Sequence, residues 1–278
     1  MTTSITSSAT QTIISAGGNP SALVIENGGI VSGIGKNKII NGNFAINQRG
    51  VSGTVTLAAG AYGHDRFKAG AAGCTYTFAT LENITTITIS AGSLIQVIEG
   101  LNLFSGNVVL SWTGTAQGKI GAGAYGNSGV TGTAVGGTNL SVEFNTGTLS
   151  LVQLETGSYK SAFEHRPYGM ELSLCQRYYF RIPENMFFGT GTNRTGGTTA
   201  YVLIQTPASL RSVPSITYTA VSAFIGDQVA LVTGDLVVTN GINDSSLWVN
   251  PNYTSTGSNG QSILLYTTTG PCEISAEL

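Results

Sequence analysis

The sequence contains few charged residues. Aspartate, glutamate, lysine and arginine make up 9% of its 278 residues, against about 25% in ordinary globular proteins. The formal net charge of −2 leaves no basic footprint, which excludes nucleic acid as an expected partner. A surface with so little charge is either neutral and rich in hydroxyl groups or covered by other subunits. This favours an oligomeric extracellular or virion protein over a cytosolic enzyme.

Cysteine and long apolar runs are also scarce. The three cysteines, Cys74, Cys175 and Cys272, are widely spaced and match neither a zinc pattern nor a disulfide framework. We interpret them as buried or free thiols and expect no metal and no cofactor. No apolar run approaches the length of a transmembrane helix, and the N-terminus lacks the basic and apolar regions of a signal peptide. The sequence therefore predicts no membrane insertion.

Short segments that alternate apolar and polar residues are abundant, and glycine-rich turns separate them. Hydrophobic residues make up 41% of the chain, and glycine accounts for 38 positions. From Ile39 onward a period of two places Phe44, Ile46 and Gln48 on one side, which is typical of a strand. Further strands are predicted at 75–78, 84–89, 106–112, 140–144, 149–154, 199–205, 215–219, 236–239, 262–266 and 272–278.

These patterns predict an all-β protein with two sandwiches. We place an N-terminal extended arm at 1–36, an antiparallel jelly-roll sandwich at 37–167, a short linker helix at 168–182 and a C-terminal β-sandwich at 183–278. The apolar pieces of the arm are too short to bury themselves. The arm therefore either pairs with copies of itself, docks on a larger body, or forms a flexible tail.

The linker is the one segment with a helical pattern. A helix is predicted from Tyr168 to Arg181, and Pro183 blocks its continuation. Its expected inward residues are Met170, Leu172, Leu174 and Cys175.

Several separated motifs occur in a fixed order along the first sandwich. They are Asn41-Gly42-Asn43-Phe44, Gln48-Arg49-Gly50, His64-Asp65-Arg66-Phe67, Gln153-Leu154-Glu155 and Phe163-Glu164-His165-Arg166. In this order they resemble the carbohydrate-binding-like jelly roll of bacteriophage tail fibres and receptor-binding proteins. Residues 175–179 resemble the element that links this module to a C-terminal β-domain. The sequence departs from the family at Asn47 and Phe67, where tryptophan is more common, so part of an aromatic sugar platform is missing.

The resemblance implies a virion component, a tail fibre or receptor-binding protein assembled as a homotrimer in the bacterial host cytoplasm. The arm would attach to tail or baseplate proteins, and the protein would bind host surface polysaccharide without cleaving it. One alternative is a purely structural virion fibre or decoration protein. The other is a capsule polysaccharide depolymerase, which needs two carboxyl groups facing each other across a cleft. Only 14 residues are acidic and nothing pairs them, so we expect no enzyme and no catalytic residue.

The motif residues favour a structural role. Arg49 and Arg66 lie beside apolar residues. Each either connects strand ends through hydrogen bonds and ion pairs with acidic residues, or contacts a ligand. His64 and His165 are either hydrogen-bonded structural residues or proton carriers. The predicted structural set is Asn41, Gly42, Phe44, Gln48, Arg49, Asp65, Arg66, Glu155, Glu164 and Arg166.

Sugar binding requires an aromatic face beside hydrogen-bonding side chains. Two segments of the C-terminal domain supply both. The candidate glycan-binding residues are Trp248, Asn250, Asn252 and Tyr253 with Asp244 nearby, and a second cluster of Phe224, Asp227 and Gln228. Trp248 is either such a contact or a core residue, whereas Trp112, inside an alternating strand, is predicted to be core.

The string Gly121-Ala-Gly-Ala-Tyr-Gly126 matches the glycine pattern of dinucleotide sites. That motif works only where a helix follows and its amide groups meet phosphate. The glycine-rich residues 127–137 cannot make a stable helix. We therefore predict a loop and no nucleotide site.

Overall fold

The computed structural model describes residues 35–193, 200–225, 228–233, 238–243, 246–249, 251–253 and 260–278, together with three short strands before residue 35. The chain divides into two compact units, Met1–Tyr168 and Gly169–Leu278. Strand pairs in both units are antiparallel. The predicted all-β class is therefore confirmed at this level.

The three short strands near the N-terminus form a small antiparallel sheet. They are β1 (Ser7–Ser8), β2 (Gln11–Ile13) and β3 (Ile25–Glu26), paired in that order. The other residues of the predicted arm before Gly35 lie outside the described residues. Its attachment role stays a prediction.

The first unit contains an eight-stranded sheet. Its strands are β4 (Val55–Leu57), β5 (Lys68–Leu81), β6 (Ile84–Ile98), β7 (Gly106–Thr113), β8 (Gly118–Ile120), β9 (Val130–Ala134), β10 (Leu140–Phe144) and β11 (Gly147–Thr156), with a 3-10 helix at Gly100–Asn102. The order is β4-β5-β6-β11-β7-β9, while β10 pairs with β6 and with β8.

The long strand β6 joins two branches of this sheet. Its residues Ile87–Ile89 pair with β11, whereas its residues Leu94–Ile98 pair with β10. Apolar side chains from both branches pack into one core, including Leu154 of β11 and Phe144 of β10. Burial alternates along the end of β10, so that branch presents a second face away from the core. By contrast, residues 108–112 of β7 and 152–155 of β11 are buried without alternation.

The segment 38–50 differs from its prediction. Phe44 and Ile46 are buried in alternation as expected, but no strand forms between Gly35 and Val55. The backbone takes positive φ angles of 61° at Asn41 and 53° at Phe44. Asn41 explains the difference, because its side chain bonds both the N–H and the C=O of Ile46 and so replaces the bonds of a strand ladder.

The second unit contains a nine-stranded sheet and one helix. Its elements are α1 (Tyr168–Gln176, beginning at the unit boundary), β12 (Tyr179–Ile182), β13 (Phe187–Asn193), β14 (Ala200–Gln205), β15 (Ser215–Ile225), β16 (Gln228–Thr233), β17 (Val238–Asn243), β18 (Ser246–Val249), β19 (Asn252–Tyr253) and β20 (Ser262–Ser275). The order is β17-β18-β14-β13-β20-β15-β16-β19, and β12 pairs with β20. The core includes Val202, Ile204, Val221, Leu265 and Ile274.

Helix α1 is shorter than predicted, and its buried face matches the expected one at Cys175 but not at Met170. Glu171 and Cys175 are buried, whereas Met170 is 43% exposed, so the expected inward position of Met170 is wrong. The helix ends at Gln176 because the chain then enters β12, whose backbone pairs with β20 from Tyr179 onward. Among the described residues no helix is long and apolar enough to cross a membrane.

Candidate functional site

The first motif, around Asn41 and Gly42, lies inside the first unit. The Asn41 amide donates to the carbonyl oxygens of Ile46 and Asp65 at 2.8 and 3.1 Å. A Cβ atom on Gly42 would lie 2.1 Å from the carbonyl oxygen of Val152. Only glycine therefore allows the backbone to approach β11 so closely.

Asp65 and the two arginines join neighbouring loops and strands. The Asp65 carboxylate accepts hydrogen bonds from the backbone N–H and the side-chain amide of Gln48, each at 2.7 Å. Arg49 lies 4.0 Å from the same carboxylate. Arg66, only 2% exposed, donates to the carbonyl of Val97 at 2.8 Å. These contacts give Asp65, Gln48 and both arginines structural partners within the unit.

The closing motifs fasten the opening segment. Glu164 accepts the N–H groups of Gly35 and Asn37 at 2.5 and 2.7 Å, and Arg166 donates to the carbonyls of Ile39 and Asn37. Burial disfavours the charged form of Glu164, but these two N–H groups and the charge of Arg166 outweigh burial and lower its pKa. The ionised carboxylate of Glu164 therefore holds the opening segment through these two N–H groups.

Glu155 and Gln153 connect the two closing motifs by hydrogen bonds. Glu155 accepts the N–H of Ser161 at 2.5 Å, the hydroxyl of Ser161 at 2.7 Å and the side-chain amide of Gln153 at 2.8 Å. The side-chain oxygen Oε1 of Gln153 in turn accepts the N–H of Glu164 at 2.8 Å. The two closing motifs therefore meet in one hydrogen-bonded network.

His64 is enclosed by aromatic rings. Its Nδ1 lies 3.0 Å from the Tyr76 hydroxyl, and its ring packs edge-on against Phe78 at a centroid distance of 4.6 Å. Burial lowers the pKa of His64 to about 4 and raises that of Tyr76 to about 12. A neutral imidazole held by a protonated hydroxyl is a packing element at neutral pH.

The thiols and the first tryptophan are buried as predicted. Cys74, Cys175 and Cys272 are free and buried, and burial raises the pKa of Cys74 to about 11 and of Cys272 to about 12. Trp112 donates from Nε1 to the carbonyl of Ala116 and packs on Phe144. The described residues contain no group of three His, Cys, Asp or Glu side chains that could hold a metal ion.

The glycine string of dinucleotide type leads into a strand. It follows β8 and folds back, since Gly118 and Gly126 exchange two backbone hydrogen bonds of 2.9 Å. Strand β9 comes next, and no helix does. The predicted loop at 127–137 is therefore wrong in part, because β9 (Val130–Ala134) lies within it.

The predicted glycan-binding residues fall into two groups. Asp227, Asp244 and Asn250 lie outside the described residues. The others occupy strand positions: Phe224 in β15, Gln228 in β16, Trp248 in β18, and Asn252 and Tyr253 in β19.

The sheet brings Trp248 and Phe224 into one row. From Trp248 the cross-strand partners are Leu203, then Thr190, then Leu264 and then Phe224. Trp248 lies between Leu247 and Val249, which belong to the buried core, so it occupies the alternate register position of its strand. The two predicted clusters therefore share a row of four interstrand spacings, about 19 Å.

Three aromatic rings meet beside this row. Phe187 is paired across the sheet with Tyr266, and their ring centroids lie 5.4 Å apart. Phe224 lies 4.9 Å from Tyr266 and 5.6 Å from Phe187. Phe187 is 58% exposed, so the cluster opens to solvent. We call the cluster of Phe187, Phe224 and Tyr266 the aromatic face.

The opposite flank of the aromatic face carries hydroxyl groups. Tyr201, Thr192 and Ser262 are consecutive cross-strand partners and are exposed. None of the described residues assigned to these three rows is charged. Aromatic rings beside neutral hydroxyl groups suit the apolar face and the hydroxyl groups of a sugar.

No protein-family model matches the chain, and the curated proteins give no significant match.

Sequence reasoning missed Phe187, Tyr266 and Leu264. Each lies in an alternating segment, so the pattern indicates that it shares a face with its second neighbours. The pattern does not say that β20 runs between β13 and β15. Strand order, which sequence periodicity leaves open, decides which aromatic residues meet.

Proposed function

We propose that this chain is a bacteriophage virion protein, a tail fibre or receptor-binding protein, that binds host cell-surface glycan without cleaving it. It assembles as a homotrimer, the N-terminal arm attaches to the tail or baseplate, and the first unit is a carbohydrate-binding-like jelly roll. The second unit carries the recognition surface. The observation that carries the proposal is the aromatic face, where Phe187, Phe224 and Tyr266 meet in an uncharged surface.

The motif network supports the same proposal. Asn41, Asp65, Glu155 and Glu164 carry the resemblance to phage fibre modules, and all are engaged in bonds that hold loops and strands together. Residues that define a scaffold are expected to persist where the ligand-binding surface changes. Individual sugar contacts are weak, and several copies on one virion raise the effective affinity by avidity.

The test uses purified full-length protein and an array of bacterial capsule, O-chain and teichoic acid polymers. We expect binding to at least one polymer and a solution mass of three chains by sedimentation equilibrium. Replacing Phe187 and Tyr266 with alanine should lower the affinity for the polymer at least tenfold, because the aromatic area that stacks on the sugar is lost. Val213→Ala, an exposed apolar truncation elsewhere in the second unit, should leave binding unchanged.

Each other outcome overturns a named part of the proposal. New reducing ends released from a bound polymer would favour the depolymerase. A stable trimer that binds no polymer on the array and no bacterial cell would favour the purely structural fibre. Binding that survives the loss of both rings would remove the aromatic face as the site.

A further inference from the structure

A second cross-sheet row lies in the first unit, on β5, β6, β10 and β8. Lys68 pairs with Ile95, Ile95 with Glu143, and Glu143 with Lys119. Tyr62 pairs with Lys68 at one end. At the other end the Gly118–Gly126 bridge places Tyr125 opposite Lys119. We call these six residues the Tyr62–Tyr125 row.

The middle of this row faces away from the core. On each strand the flanking residues belong to the buried interior, which indicates that the row residues occupy the outward positions. These flanking residues are Phe67 and Ala69, Leu94 and Gln96, Gly118 and Ile120, and Val142 and Phe144.

Cationic groups lie against the tyrosine rings at both ends. At the first end, the Lys68 ammonium is 5.8 Å and the Arg49 guanidinium 5.1 Å from the centre of the Tyr62 ring. At the other end, the Lys119 ammonium is 4.8 Å from the centre of the Tyr125 ring. Such contacts hold a long side chain in place over an aromatic face. The row therefore presents positioned charges at both ends.

Both carboxylate oxygens of Glu143 have partners. It lies 2.8 Å from the Lys119 ammonium and accepts the hydroxyl of Ser93 at 2.7 Å. Burial opposes its ionisation, but bonds from Lys119, Ser93 and the Tyr125 hydroxyl outweigh burial and lower its pKa. Lys119 has three N–H donors, and the Glu143 contact uses one. The surface therefore offers hydrogen-bond donors more readily than acceptors.

Charge and length together indicate the ligand. Lys68, Lys119 and Arg49 contribute three positive charges at the row, and Glu143 and the buried Asp65 contribute two negative ones, which leaves a net charge of +1. The row crosses five interstrand spacings, which is about 24 Å. A chain with regularly spaced anionic groups and apolar ring faces matches both the cationic ends and the half-buried Ile95 at the centre.

We propose that the Tyr62–Tyr125 row binds an acidic saccharide chain, one whose sugar units carry carboxylate or phosphate groups. Lys119 and Lys68 donate to the anionic groups, and Tyr125, 37% exposed, packs against a sugar ring. The site lies in the first unit, whereas the aromatic face lies in the second. Unlike the aromatic face, the site contains charged residues, and its ligand is charged as well. It stands whether or not the aromatic face binds glycan.

The experiment is isothermal titration of the protein with a galacturonic acid oligomer, a polymer of sugar phosphates and a neutral glucose oligomer. We expect at least one acidic ligand to bind, the neutral one to bind more weakly, and binding to weaken as salt rises. The Lys68→Gln and Lys119→Gln double variant should lose about tenfold in affinity, because charge-assisted hydrogen bonds are removed. Lys160→Gln, at an exposed position outside the row, should bind as the parent does.

Three results would overturn the proposal. They are no binding of either acidic ligand, equal binding of the neutral oligomer, and full affinity in a folded double variant. If the double variant fails to fold, the salt dependence of binding by the parent protein still tests the proposal. An affinity that does not change with salt concentration would reject an acidic ligand at this row. Phe187→Ala should leave acidic-saccharide binding intact, so this test and the test of the aromatic face fail independently.

Discussion

The side-chain amide of Gln96 pairs with the backbone of Ile40 as a strand would. The Gln96 carbonyl oxygen accepts the Ile40 N–H at 2.8 Å, and its NH₂ group donates to the Ile40 carbonyl oxygen, also at 2.8 Å. Gln96 is 1% exposed. One side chain on β6 therefore satisfies two buried backbone groups in a segment that has no strand partner of its own at this position.

Gln96→Leu should destabilise the first unit by roughly 3 kcal/mol, because both backbone groups of Ile40 stay buried without their partner. Denaturant unfolding measures this best in a Trp248→Phe background, since Trp112 is then the sole tryptophan and reports on the first unit. Gln117→Leu, at an exposed position, should change stability by at most about 0.5 kcal/mol. Equal losses for both variants would contradict the role of Gln96.

Gly42→Ala should destabilise the same unit by about 2–3 kcal/mol. The new methyl group would meet the Val152 carbonyl oxygen at 2.1 Å and would force apart the 2.8 Å bond from the Val152 N–H to the Gly42 carbonyl. Gly126→Ala is the matched control, because its Cβ would lie 3.4 Å from Val130 Cγ2, an ordinary contact. A Gly42→Ala protein as stable as the control would show that the segment relaxes freely.

His64 should make stability depend on pH between 6.5 and about 4. Its pKa is 6.5 in the unfolded chain and about 4 when folded, because burial disfavours the charged ring. In this window the unfolded chain binds the proton and the folded chain does not, so the free energy of unfolding falls as pH falls. The total loss is roughly 3 kcal/mol.

His64→Asn keeps an acceptor near the Tyr76 hydroxyl and should flatten this part of the pH profile. Urea unfolding at pH 7, 5.5 and 4 measures the difference, using the tryptophan signal of the first unit. His165→Asn, at an exposed position, should keep the parent slope. Parallel profiles for the parent and His64→Asn would rule out His64 as the source.

The existence of most strands could be predicted from local pattern alone. The predicted segment 140–144 coincides with β10, and 106–112 lies within β7, which extends one residue further to Thr113. Lengths were less accurate, since β6 continues from Ile84 to Ile98 through Gly92. Alternation identifies a half-buried strand, but it does not reveal how far a neighbouring strand supplies hydrogen-bond partners.

The segment 38–50 shows a second limit of pattern. Its burial alternates as predicted at Phe44 and Ile46, yet its hydrogen bonds go to side chains and turns. A period of two requires only that successive side chains point to opposite sides. It does not require a second strand. The asparagine and glycine residues, which favour turns, were the available signal against a strand.

The amino-acid sequence by itself determined the all-β class, the poverty of charge, the buried thiols and the order of the scaffold motifs. These follow from composition and from contacts between neighbours along the chain. Tertiary structure alone decided that Trp248 and Phe224 share a row, that Phe187 and Tyr266 join them, and that Lys68 and Lys119 lie on one face. The physical reason is that strand order and register arise from long-range pairing, and residues far apart in sequence become neighbours only when that pairing is complete.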